Sequence, residues 1–166
     1  VKVDGNNQEW ANTDHALFVG EKSQVQGTLR CSCDDKNVYF LVEVLDRSLL
    51  RGDYATVYLS PDDSKSLANG AKRIQVSMDG LKSTETYAGK WNSAEMGVEV
   101  KTYVCNDTNE DRIDNYGYIA EISIPRSSLT ISSGQVLVNF SITDNKEEEA
   151  VSDVSSISRW IPVAGL

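Results

Sequence analysis

Histidine is nearly missing from this chain of 166 residues, which has only His15. A Ser-His-Asp or Cys-His nucleophilic arrangement would have to be built on that one imidazole, and its neighbours in an early strand-like segment suggest no partner for it. Glycine-rich phosphate loops are absent as well. Cysteine is scarce, with three residues and no CxxC spacing, which argues against a zinc site. Positive charge is in short supply: 16 Lys and Arg against 25 Asp and Glu leave a net charge of −9. Such a surface repels phosphate backbones, so nucleic acid is not an expected partner. Apolar runs are short, and the longest, around Val38 to Leu45, is far below the length of a membrane-spanning helix. The first residues do not read as a basic and hydrophobic leader, and the chain is expected to be a single module, residues 1–166, excised from a larger secreted protein whose targeting segment lies outside it.

What is present is ordinary globular material, 40% hydrophobic and 25% charged, arranged with a period of two. Val25 to Cys33 places Val25, Gly27, Leu29, Cys31 and Cys33 on one face and Gln26, Thr28, Arg30 and Ser32 on the other. A turn at Asp34-Asp35-Lys36-Asn37 follows. Asn37 to Asp46 is apolar on both faces apart from Glu43, as in a central strand covered on both sides. Tyr54 to Ser60 and Arg73 to Met78 alternate again, with Asp79-Gly80 as a turn. Val98–Cys105 and Tyr116–Ile124 read as strands joined by a polar loop, Pro125 closes the second, and Val136 to Ile142 gives the last clear core strand. Helical periodicity is lacking, save for one short turn between Pro125 and Leu129. The expected fold is all-β: an antiparallel two-sheet sandwich, jelly-roll-like.

Catalysis has little support. Two carboxylates suffice for glycoside hydrolysis, but among 25 acidic residues some pair always qualifies, so the pattern carries no weight. The segment Asn106 to Asp114 offers a calcium reading. Asp107, Asn109 and Asp111 stand at i, i+2 and i+4, with Asp114 close behind, and that spacing gathers oxygen ligands around a small loop. Arg112 occupies the sharp-turn glycine position and no bidentate glutamate follows, so a polar hairpin loop is the competing reading. Cys31 and Cys33 fall on a core-facing side as buried thiols; pairing of either with Cys105 is left open.

Sugars are held by stacking on aromatic rings with polar side chains around them. Trp10, beside the first strand, is expected in the core. Trp91, in the polar segment from Ala88 to Ser93, reads as a loop tryptophan available to a ligand, and Trp160 follows a serine-rich stretch. The non-core face of two strands supplies Tyr54, Thr56 and Tyr58 beside Arg73 and Gln75, an aromatic and polar patch.

The order of features resembles carbohydrate-binding module family 9, which belongs with the DOMON-like sandwiches. Val3-Asp4-Gly5 followed by Glu9-Trp10 is similar to the family's opening. Asp34-Asp35-Lys36-Asn37-Val38-Tyr39 leading to Val44-Leu45-Asp46 resembles its second motif, and Gly52 to Leu59 its third. Gly117-Tyr118 through Glu121 to Ile124-Pro125 and the late strand Val138 to Asp144 complete the series, with Trp160 in the place of a late tryptophan. The resemblance implies a non-catalytic module that binds oligo- or polysaccharide, attached to a secreted or cell-surface bacterial protein, with structural calcium. It also implies a clamp of two tryptophans around sugar ends. Trp160 matches the later one; Leu50 stands at the earlier. The family's strand glutamate falls on Thr56 and its arginine at or near Gln75, with Arg73 two residues away. Two other readings follow from these departures and from related sandwiches: a spacer or protein-contact domain that has lost the sugar site, and a haem domain, which would need axial ligands such as His15 with Met78 or Met96.

Overall fold

The computed structural model describes residues 1–13, 16–20, 25–46, 49–60, 68–105, 117–129, 134–144, 152–155 and 161–164. Twelve strands are described: β1 Ala16–Gly20, β2 Val25–Cys33, β3 Asn37–Asp46, β4 Tyr54–Ser60, β5 Lys72–Ser77, β6 Gly80–Tyr87, β7 Trp91–Ser93, β8 Glu99–Cys105, β9 Gly117–Pro125, β10 Gln135–Asp144, β11 Ser152–Ser155 and β12 Ile161–Ala164. The only helical pieces among the described residues are two 3-10 turns, Gln8–Trp10 and Arg126–Ser128. The second lies where the short turn after Pro125 is expected.

All pairings are antiparallel and form two sheets. One has the order β1-β2-β3-β9-β8, the other β11-β10-β4-β5-β6-β7, with β12 also pairing β10. Strand β10 carries β12 along its first half and β11 along its second, on the edge opposite β4. The alternation in the sequence is the alternation of the sandwich. Val25, Leu29 and Cys31 of β2, Ala55, Val57 and Leu59 of β4, Ile74 and Val76 of β5, and Val136, Val138, Phe140 and Ile142 of β10 all enter the shared core.

Two glycines are required by close approach. A side chain at Gly27 would meet Ile142 Cδ1 at 2.6 Å, so the missing Cβ leaves room for the β10 side chains of the facing sheet. One at Gly117 would lie 2.1 Å from the Val44 carbonyl oxygen.

Trp10 is buried, but in a second, smaller cluster on the outer face of the five-stranded sheet, with Tyr39 and Leu41. The segment from Val1 to Thr13 therefore covers part of that face. Its anchor is Glu121, fully buried on β9. One oxygen of that carboxylate accepts the backbone N–H groups of Asp4 (2.8 Å) and Gly5 (2.6 Å), and the other accepts the Trp10 indole N–H at 2.8 Å. Gly5 has φ of 84°, which lets the backbone turn its amides toward the carboxylate. A buried carboxylate supplied with several donors is the condition under which such a group is tolerated in a core. This explains β3 as well: Tyr39 and Leu41 are covered by the N-terminal segment, whereas Glu43, touched only at its edge by Asn7, and Leu45, beyond it, are reached by solvent.

All three cysteines are free thiols. Cys31 is buried and Cys33 half-buried against the core, in keeping with the alternation, and Cys105 lies at the end of β8 on the outer side. Burial pushes the Cys31 thiol well above its usual range.

Candidate functional site

The outer face of the seven-stranded sheet brings six of the sequence-derived candidates together. Register places Tyr58 opposite Arg73 and Thr56 opposite Gln75 across β4 and β5. It then places Arg73 opposite Glu85 and Gln75 opposite Ser83 across β5 and β6. The row through Thr56 is a hydrogen-bonded chain: Ser83 Oγ donates to Gln75 Oε1 at 2.8 Å, and Gln75 Nε2 donates to Thr56 Oγ1 at 3.3 Å. Thr56 itself is buried. It therefore fixes Gln75 from below and does not present its hydroxyl at the surface.

The row through Tyr58 carries the aromatic cluster. Trp91 pairs with Tyr87 across β6 and β7, and their rings meet edge to face at 5.3 Å between centroids. The Tyr58 ring is tilted against Trp91 at 6.2 Å. The Arg73 guanidinium lies over the indole, 4.5 Å from the centroid, and Arg73 Nε donates to Glu85 Oε2 at 2.5 Å. Each aromatic pair contributes about 0.5–1.5 kcal/mol beyond area burial, and a partly desolvated cation over an indole contributes about 1–2 kcal/mol. Trp91 is thus held by three neighbours and remains half-exposed. Tyr54 stands further along β4, with the Lys82 ammonium 4.8 Å from its ring centroid.

The location of Trp91 corrects the sequence reading. It is the first residue of the short edge strand β7 and not part of a loop. The turn-forming Gly89-Lys90 before it hides the strand, and the three-residue length leaves too little alternation to detect. Glu85 and Tyr87 were missed for a related reason: β6 reads GLKSTETY, with no apolar alternation.

A second constellation joins the two sheets at one end. Asp46 closes β3, Asp53 precedes β4 and Asp144 closes β10, and one carboxylate oxygen from each lies within 4.8 Å of the others. All three are buried. The Leu50 N–H donates to Asp53 Oδ2 at 2.6 Å, so the residue at the family's earlier tryptophan position braces this aspartate through its backbone. Tyr118 lies beside the group; burial, then the charges of Asp53 and Asp46, push its hydroxyl above the usual range. A donor set of three carboxylates, all oxygen, suits a hard divalent cation and fits calcium. These residues are separated by up to about a hundred positions, so spacing does not reveal them. Their common signal is an acidic residue at the boundary of an alternating strand.

Asp107, Asn109, Asp111 and Asp114, the calcium loop of the sequence reading, lie outside the described residues, as do Trp160 and His15. Met96 is buried in the core and Met78 packs against it.

The family model described as "Carbohydrate family 9 binding domain-like" matches residues 3–163. The chain belongs to this family. A curated relative, endo-1,4-beta-xylanase C of Paenibacillus barcinonensis, is 28% identical over 121 residues, which is 72% of this chain and 10% of the relative; the chain spans about a tenth of that enzyme's length. Among solved structures, a family 9 carbohydrate-binding module from Caldicellulosiruptor kristjanssonii in complex with glucose superposes with a TM-score of 0.69 at 15% identity, covering 99% of this chain and 90% of that one. The same source provides a module in complex with cellotriose, with a TM-score of 0.67 at 15% identity over 93% and 78% of the two chains. At that identity the two structures attest the sandwich of a family 9 module and not its individual ligand contacts.

Proposed function

We propose that this family 9 module binds neutral oligo- or polysaccharide on the outer face of β4 to β7, with Trp91 as the stacking platform, and that it performs no catalysis itself. The observation that carries the reading is the pinned indole. Arg73, Tyr58 and Tyr87 hold Trp91 in one orientation before any ligand arrives, which lowers the ordering cost of binding. Gln75, Tyr58 and Tyr54 supply polar atoms and further ring surface along the same face, and Thr56 acts beneath them by fixing Gln75. Glu85 balances the Arg73 charge, which suits an uncharged sugar. Trp160 is proposed as a further wall on the strength of its match to the family's late tryptophan. The xylanase relative and the cellotriose and glucose complexes make xylo- and gluco-configured chains the first ligands to try, and support a place in a larger bacterial protein acting outside the cell.

The donor set at Asp46, Asp53 and Asp144 supports a structural calcium ion tying β3 to β4 and β10; the Asp107 to Asp114 loop is a second proposed position. A spacer role is the alternative reading, favoured by Leu50 where sugar-clamping relatives carry a tryptophan and by the burial of Thr56. Depletion on insoluble xylan and cellulose separates the two. Retention of the module on either, reversed by soluble oligosaccharide, supports sugar binding; passage through both, with calcium present, supports the spacer.

A further inference from the structure

The N-terminal segment covers only part of the outer face of the five-stranded sheet, and the part it leaves open is concave. Trp10 closes over Tyr39 and Leu41, and Asn7 marks the edge of the covered region. Beyond it lies a cavity of about 520 Å³ whose lining includes Asn7, Phe18, Gln26, Thr28, Glu43 and Leu45. This volume falls within the roughly 300–1,000 Å³ range of small-molecule sites.

The polar floor is already organised. Glu43 accepts Asn7 Nδ2 at 2.9 Å and Thr28 Oγ1 at 3.1 Å, with Arg30 Nε at 3.8 Å. Phe18 stands on the adjacent edge strand with 53% of its surface exposed, and Leu45 with 39%. Cross-strand register puts Phe18, Thr28 and Glu43 in one row over β1, β2 and β3, with neighbours about 4.8 Å apart.

The geometry points to a second carbohydrate subsite on this face, on the sheet opposite Trp91, that takes a neutral sugar. The chemistry of the lining selects this class. A wholly apolar ligand would strip water from an amide, a hydroxyl and a carboxylate and give nothing back. An anion would meet Glu43 on a protein with a net charge of −9. An uncharged polyol answers the amides and the carboxylate with hydroxyls, while its C–H face meets the Phe18 ring. The module would then hold two sugar segments on opposite faces and gain from avidity on a polysaccharide surface.

Amide-resolved NMR titration with xylotriose and cellotriose tests this, using the intact chain, Trp91→Ala and Phe18→Ala. The expected result is two sets of shifts. One includes Phe18, Gln26 and Glu43, survives in Trp91→Ala and weakens at least tenfold in Phe18→Ala; the other centres on Trp91 and does the opposite. Shifts confined to β4 to β7 overturn the second subsite and leave the first standing. Shifts confined to the Phe18 face keep the second and overturn the proposed function. No shifts with either trisaccharide overturn both. Glucuronic acid perturbing the Phe18 set as strongly as xylotriose overturns the choice of a neutral ligand.

Discussion

At the scale of single residues, the distances identify side chains whose protonation or charge is set by neighbours. Asp34 starts the β2–β3 turn and accepts the Tyr39 hydroxyl at 2.7 Å and the amides of Lys36 and Asn37, each at 2.8 Å. The Tyr39 hydrogen bond first, then the two amides, lower its carboxyl from 3.8 to about 2. The same contact pushes the Tyr39 hydroxyl up. A carboxylate depressed in the folded state adds stability that is complete above its unfolded value and is lost as pH falls through the folded one. The advantage of the natural protein over Asp34→Asn is therefore expected to be constant above pH 4 and to shrink between pH 4 and about 2. Urea unfolding midpoints across that interval check it, and a difference that does not change with pH would contradict the role given to Asp34. Tyr39 is also where residue and family pattern meet. The Asp-Asp turn and the aromatic strand residue after it were legible from turn-forming composition and the family resemblance; the hydrogen bond that joins Tyr39 to Asp34 was not.

At the scale of elements, the N-terminal segment and the strand ends do most of the specific work. The opening Asp4-Gly5 and Trp10 are explained by one buried carboxylate on a distant strand, Glu121. Trp10→Ala removes a buried indole and is expected to cost about 3–5 kcal/mol. Trp10→Phe keeps most of the packing, loses the donor to Glu121 and is expected to cost about 1–3 kcal/mol. Thermal unfolding of both variants orders them, and equal losses would show that the hydrogen bond contributes nothing. At the opposite end of the sheets, the three strand-terminal aspartates give a second expectation: added calcium raises the unfolding temperature of the natural protein, EDTA lowers it, and Asp144→Asn sharply reduces the difference. A calcium response unchanged by Asp144→Asn would place the ion elsewhere, with the Asp107 to Asp114 loop as the first alternative. The strands that alternate cleanly, β2, β4, β5 and β10, were legible because one of their faces is core and the other is polar. Strands β6, β7, β11 and β12 were not. β6 carries polar residues where a core strand would carry apolar ones, and the others are too short for a period of two to stand out.

At the scale of the whole molecule, the sandwich leaves each sheet an outer face, and the two faces are finished differently. One is partly covered by the N-terminal segment and leaves a cavity; the other carries polar and aromatic side chains from Tyr54 to Trp91. Sequence alone placed Tyr58 and Arg73 on one face, because both follow from strand parity. It did not join Trp91 to them, because that juxtaposition depends on β6, the strand between β5 and β7, which is invisible to alternation. The proposed function rests on Trp91 as the centre of a sugar-binding surface on the second face. The most direct test is calorimetric titration of the natural module and of Trp91→Ala, both shown to be folded by near-ultraviolet circular dichroism, with xylotriose and cellotriose. The account predicts binding by the natural module and at least a tenfold loss of affinity at the β4 to β7 face in Trp91→Ala, about 1.4 kcal/mol or more. Undiminished affinity in a folded Trp91→Ala protein would contradict it.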